Sequence, residues 1–199
     1  TTTSGDVSGS VTATDSTLGG SVYGSRTPSG NATDSSVTID NTSVAGHVYG
    51  AYTPSGDATG SSVTISNIDG SSTTIGDDIY GGYTGSGTAS GNSVTVSNSI
   101  LDVTVYGGMG TTGASGNEVI AISLTTSQTV YGSYSESGDV SGSVSATDST
   151  LEDSVYGSYT QSGDASDSTV TLSNTDVTGY AYGASTENGD ATGSSVSLS

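Results

Sequence analysis

Carboxylates are the most numerous groups here that could do chemistry: 20 Asp and Glu stand against a single Lys or Arg. Several recur at a fixed spacing. The residue after the glycine of each S-G-D-type turn reads Asp6, Asn31, Asp57, Thr88, Ala114, Asp139, Asp164 and Asp190. Carboxylates and turn carbonyls repeated along one edge are the oxygen donors that calcium takes. The run Asp139, Asp164 and Asp190 is where such an ion would sit, although the β-roll nonapeptide G-G-x-G-x-D is absent. The competing reading is turn chemistry. Asp turns the chain cheaply, and a wet edge tolerates repulsion on the order of 1 kcal/mol for each pair about 5 Å apart.

Tyrosine is the second recurring group. The dipeptide Tyr-Gly begins at Tyr23, Tyr49, Tyr80, Tyr106, Tyr131, Tyr156 and Tyr182. Its rings would form a surface aromatic ladder, stacked on one another over a sheet or offered as a stripe to glycans or a host surface. A broken second column holds Arg26, Tyr52, Tyr83, Met109, Tyr134, Tyr159 and Ser185. Of these, Tyr52, Tyr83, Tyr134 and Tyr159 make a candidate ligand face. An outward Thr column (Thr12, Thr38, Thr64, Thr95, Thr171, with Ser145 and Ser197) partly matches the T-x-T arrays of ice-binding solenoids.

Catalytic constellations are scarce. His47 is the one histidine, there is no Cys, and Gly-Ser pairs fall in repeat turns. Acid pairs occur at Asp77-Asp78 and Glu152-Asp153. Neighbours on a strand point to opposite faces, so neither pair supplies a general acid with its base. The sequons at Asn31 and Asn41 fit the glycosylation pattern, as chance allows in this composition. The chain therefore reads as no enzyme. A polysaccharide-active β-helix is the remaining catalytic alternative, with the one insertion as its site.

These residues are positioned by a repeat. The Tyr-Gly marks are spaced 26, 31, 26, 25, 25 and 26 residues apart. The turn glycines Gly5, Gly30, Gly56, Gly87, Gly113, Gly138, Gly163 and Gly189 follow the same rhythm. The unit is 25 or 26 residues, with about five extra between Ser66 and Ile79 (67–79). Residues 1–66 align without a gap onto 134–199 with 44 identities, so a five-unit block of 133 residues has been partly duplicated. With no initiator Met and no leader in the sequence, a fragment of a longer repetitive chain is expected.

Each unit carries "VYG-Y", a turn, a period-two strand such as "SSVTIS", an Asn or Asp turn (Asn41, Asn67, Asn98, Asn174, Asp15, Asp148), and an apolar stub. No stretch has helical spacing with start and stop signals. Only 30% of residues are apolar, and there is no Phe or Trp. With a net charge of −19 this composition fits either disorder or a thin core. Strand-forming Val, Ile, Thr and Tyr in strict phase favour the core. One unit cannot bury its apolar face, but stacked units can. The expected fold is all-β: a parallel, right-handed β-solenoid, residues 1–199 as one domain, one coil per 25–26 residues. About seven to eight coils give a rod on the order of 35 Å long. Its core columns are Val11, Val37, Val63, Val94, Val119, Val144, Val170 and Val196, and Ala13, Ile39, Ile65, Val96, Ala146, Leu172 and Leu198, with Ala121 or Ile122 in the fifth coil.

The acidic balance excludes nucleic acid as partner, and no apolar run is long enough for membrane insertion by this segment. "VYGAYTPSGDATGSSVTISN" and "VYGSYTQSGDASDSTVTLSN" resemble the V-Y-G-G…N-x-V-x-I repeats in passenger regions of bacterial autotransporter-type adhesins. The resemblance spans essentially the whole chain. It implies export, a β-helical stalk, and adhesion or surface architecture. The expectation is an extracellular structural protein, secreted or on the bacterial cell surface, with its own copies as partners, head to tail or side by side. The alternative is a binding module for glycans or host surfaces. No cofactor is expected beyond the calcium considered above.

Overall fold

Every strand pairing in the computed structural model, which describes residues 4–199, is parallel and joins a segment to its equivalent one coil along. The first three residues of the expected 1–199 domain lie outside the described residues. The described chain holds no helix and winds as a β-solenoid of about seven turns.

One coil shows how the sequence sets the path. Strand Val48–Thr53 runs into the turn Pro54 to Asp57, then the two-residue strand Ala58–Thr59. A corner at Gly60 leads into strand Ser62–Ser66, and a second corner at Asn67 ends that side. The seven Tyr-Gly strands form one sheet, and the "SVTIS" strands belong to a 15-stranded one. A third side carries two-residue strands such as Ser43–Val44 and Thr150–Leu151.

The period-two pattern puts Val63 and Ile65 inside and Ser62, Thr64 and Ser66 outside. The register stacks Val11 through Val196 in one column, as expected, but Val196 and Leu198, assigned to the core from sequence, are exposed because no described coil covers the last one. In the fifth coil Ala121 fills the second column, between Val96 and Ala146, while Ile122 stands 43% exposed on the outer face. Val48, Ile79, Val105, Val130 and Val155 close the core from the opposite sheet.

Corners are made by residues that tolerate a left-handed backbone. Asp15, Asn41, Asn67, Asn98, Asp148 and Asn174 have φ of 43–59°. A second corner, unrecognised in the sequence, uses Asp34, Gly60, Gly91, Gly116, Asp167 and Gly193. The glycine of Tyr-Gly serves a different need. A Cβ on Gly50 would lie 2.3 Å from the Gly81 carbonyl oxygen, so backbone fills the space a side chain would need.

One sequence assignment is corrected. Ala114 is not on the acidic edge: it pairs with Ala89 and Val140 in a buried small-residue column. Ala89 N–H donates to Gly113 O just as Ala58 N–H donates to Thr88 O, so Gly113 holds the edge position. That coil lacks one residue within its turn, between Gly110 and Gly113, which the anchor on glycine concealed. The insertion expected within 67–79 lies between Ile68 and Ile75. Ile68 N–H bonds Ser99 Oγ as Ser16 N–H bonds Thr42 Oγ1, and Ile75 bridges to Val44. Residues 69–74 stand where the preceding coil has Ser43 alone, five residues more, and the loop is closed by the Asp69 carboxylate, which accepts N–H bonds from Ser71, Ser72 and Thr73 at 2.7–2.8 Å. Those bonds hold its carboxyl well below the usual range.

Candidate functional site: the side-chain ladders

The Tyr-Gly strands stack their tyrosines in register. From Tyr23 through Tyr49, Tyr80, Tyr106, Tyr131 and Tyr156 to Tyr182, neighbouring ring centroids lie 4.9–5.1 Å apart and planes tilt by no more than 14°. The second column stands beside it, edge to face. Tyr49 and Tyr52 are 5.1 Å apart, and Tyr131 and Tyr134 5.4 Å. Tyr52 stacks on Tyr83, and Tyr134 on Tyr159. Met109 stands between Tyr83 and Tyr134 in register, and the Arg26 guanidinium lies 5.6 Å from the Tyr52 ring centre.

The first column is therefore covered by the second; Tyr49 and Tyr80 are only 7% exposed. Ring faces in the first column are occupied by neighbouring rings; in the second, Tyr52 and Tyr83 cover each other, as do Tyr134 and Tyr159, with Met109 in register between the two pairs. Edges and hydroxyls face outward. A sugar stacks on a ring face, so the geometry of Tyr52, Tyr83, Tyr134 and Tyr159 suits mutual packing better than sugar stacking.

Burial pushes the Tyr80 phenol well above its usual range, and the Asp78 charge adds to it. Tyr49 and Tyr106 move the same way, and Tyr131 is pushed up to about 12. Tyr159 is raised chiefly by its hydrogen bond to Glu187.

The acidic edge is also a ladder. Each side-chain oxygen accepts the backbone N–H of the equivalent residue one coil on: Asp6 from Asn31, Asn31 from Asp57, Asp57 from Thr88, Asp139 from Asp164, and Asp164 from Asp190, all at 2.8–2.9 Å. Beside it, Thr53, Thr84, Thr160 and Thr186 donate their hydroxyls to turn carbonyls of the preceding coil. Among the described residues no group of three or more His, Asp or Glu is placed to hold a metal. Asp139 and Asp164 each have one carboxylate oxygen engaged by backbone.

A buried polar spine was missed in the sequence. Ser35, Ser61, Asn92 and Asn117 follow one another along the inside of the second corner, Gly142 takes the next rung, and Ser168 and Ser194 continue the column. Ser35 N–H donates to Ser61 Oγ, Ser61 N–H to Asn92 Oδ1, and Asn92 N–H to Asn117 Oδ1. Sizes match across the core. Ser35 bonds Ser25 at 2.7 Å and Ser168 bonds Ser158 at 2.6 Å. The larger Asn92 and Asn117 face Gly82 and Gly108, where an added Cβ would meet the amides at 2.4–2.5 Å.

The remaining candidates fall into the same pattern. Asp78 accepts from Thr104 N–H and Tyr80 OH, while Asp77 lies 3.9 Å from His47 Nε2. Asp153 accepts from Thr129 Oγ1 and Ser154 N–H, and Glu152 is exposed. Asn31 and Asn41 are engaged with neighbouring coils. The cleft beside the insertion loop, lined by Gly70, Thr74, Ile75, Ile100, Leu101 and Asp102, has a volume of about 100 Å³. Small-molecule sites span roughly 300–1,000 Å³. No described helix is long and apolar enough to cross a membrane. Comparison with protein-family models, with curated proteins and with solved structures finds no match.

Proposed function

We propose that the chain is an extracellular structural protein, a β-solenoid stalk or self-assembling filament that serves adhesion or surface architecture. The observation that carries this reading is how the chemistry-bearing columns are used. Asp, Asn and Tyr columns bond or stack onto their own copies one coil away, and the Thr column bonds turn carbonyls of the preceding coil. A column used in this way transmits load and fixes register, and it leaves few groups free for catalysis or ligand capture. Side chains that bond between rungs also reinforce a rod that has no wide hydrophobic core. The resemblance of the repeat to autotransporter-type passenger regions supports export and a stalk role.

Electron microscopy of the purified protein tests the reading. Rods that join into longer fibres or bundles are expected. Isolated short rods at every concentration, together with specific capture on a glycan array abolished by Tyr83→Ala, would replace it with the binding-module alternative.

A further inference from the structure

The outer face of the "SVTIS" strands differs from the rest of the surface. Its three outward columns are Ser or Thr in every rung except for Asp40, Glu118, Ile120 and Ile122. The chain as a whole carries −19, and the turn edge and corners hold an acidic residue in most coils. Copies of so acidic a protein repel one another, and this face adds only two carboxylates, Asp40 and Glu118, to that repulsion. In its fifth rung, Ile122 is 43% exposed among hydroxyl neighbours. An apolar contact ringed by small polar groups is the usual anatomy of a protein interface.

Building on the structural reading above, we infer that this face is a lateral docking surface for a second copy of the chain. The two solenoids lie parallel, related by a twofold axis along their length. Each rung then opposes its own copy, with strand order reversed across the interface. Thr38 meets Thr38 and Ile120 meets Ile120. Asp40 falls opposite Ser36, a hydroxyl donor, and Glu118 falls opposite Ile122. The antiparallel alternative centred on the same rung sets Glu118 against Glu118. Identical repeat spacing keeps every rung in step, so contact grows with length.

Each rung offers about 16 Å of strand by about 4.8 Å, roughly 75 Å². Eight rungs give about 600 Å² per copy and about 1,200 Å² in all, the lower bound for a stable interface. Pairing of this length is therefore weak, reversible and strengthened by salt, which screens the repulsion.

The natural chain has no Cys, so a single introduced thiol reports contact cleanly. Thr38→Cys, Thr95→Cys and Thr171→Cys should each form disulfide dimers under mild oxidation at least tenfold faster than Gln161→Cys, an exposed control on another side. Sedimentation equilibrium should show a monomer–dimer equilibrium that Ile122→Asp weakens at least tenfold. Thiol dimers no faster than the control, or a sedimentation constant untouched by Ile122→Asp, would overturn the inference. Fibres built end to end without side-by-side pairing would reject the lateral face and leave the structural reading standing. Absence of both would reject the two together.

Discussion

Replacing Asn117 with Ala tests whether the polar spine is a structural necessity. Asn117 is fully buried. Its Oδ1 accepts from Asn92 N–H at 2.9 Å and Asn92 Nδ2 at 3.0 Å, while its Nδ2 donates to Ala89 O and Ser133 Oγ, each at 2.9 Å. Alanine strands two donors of Asn92 where no described group can replace the acceptor. At about 1.5 kcal/mol for each unsatisfied buried donor, with about 1 kcal/mol for the cavity left by three heavy atoms, the loss is about 4 kcal/mol. Urea unfolding followed by circular dichroism should show a midpoint about 1.5 M lower, at a slope of about 2.5 kcal/mol per molar. The pair Asn117→Ser with Gly108→Ser recreates the arrangement of Ser168 with Ser158 and should recover most of the loss. A loss below about 1 kcal/mol for the single variant, or no recovery in the pair, would refute the reasoning.

Three further expectations follow from the same geometry. Gly50→Ala places a Cβ against the Gly81 carbonyl oxygen; the coil must open, and a thermal melt should show a stability loss above about 2 kcal/mol. The phenols of Tyr49, Tyr80, Tyr106, Tyr131 and Tyr156 have pKa values raised above the unfolded value of about 10. Their stabilising contribution is complete below pH ~10 and is lost as pH rises through the folded value, about 12 for Tyr131. Absorbance at about 295 nm should show the buried tyrosines ionising together with the loss of sheet signal, and early, independent ionisation of all twelve would contradict the ladder. Melting with calcium and with chelator should give the same midpoint, because backbone N–H groups engage Asp139 and Asp164; a rise of several degrees with calcium would restore the metal edge.

Much of the architecture was legible because single residue types carry it. Period-two apolar strands gave the Val column, and Asn or Asp at one phase gave the first left-handed corner. The second corner was hidden because Asp34, Gly60 and Asp167 do the same backbone job with different side chains. Gly113 and Ala114 slipped because the turn is one residue shorter and its edge position is itself a glycine, which keeps the glycine rhythm. The spine was invisible for another reason. Ser35, Asn92 and Asn117 look like loop residues, and the partners that accommodate them, Ser25, Gly82 and Gly108, lie on the facing strand. The acidic edge looked repulsive in sequence, since only coordinates reveal that one oxygen of each rung is tied to the next coil's N–H.

Amide hydrogen exchange at single-residue resolution tests the central claim most directly. Asn31, Asp57, Thr88, Asp164 and Asp190 sit on turns at the surface, where amides ordinarily exchange fast. In this fold each donates to a side chain one coil away. The stacked ladder predicts that these five amides exchange slowly, near the rate of strand amides such as that of Val63. Exchange as fast as in the loop at Ser86 or Ser162 would show that the columns do not bind coil to coil, and would contradict the account.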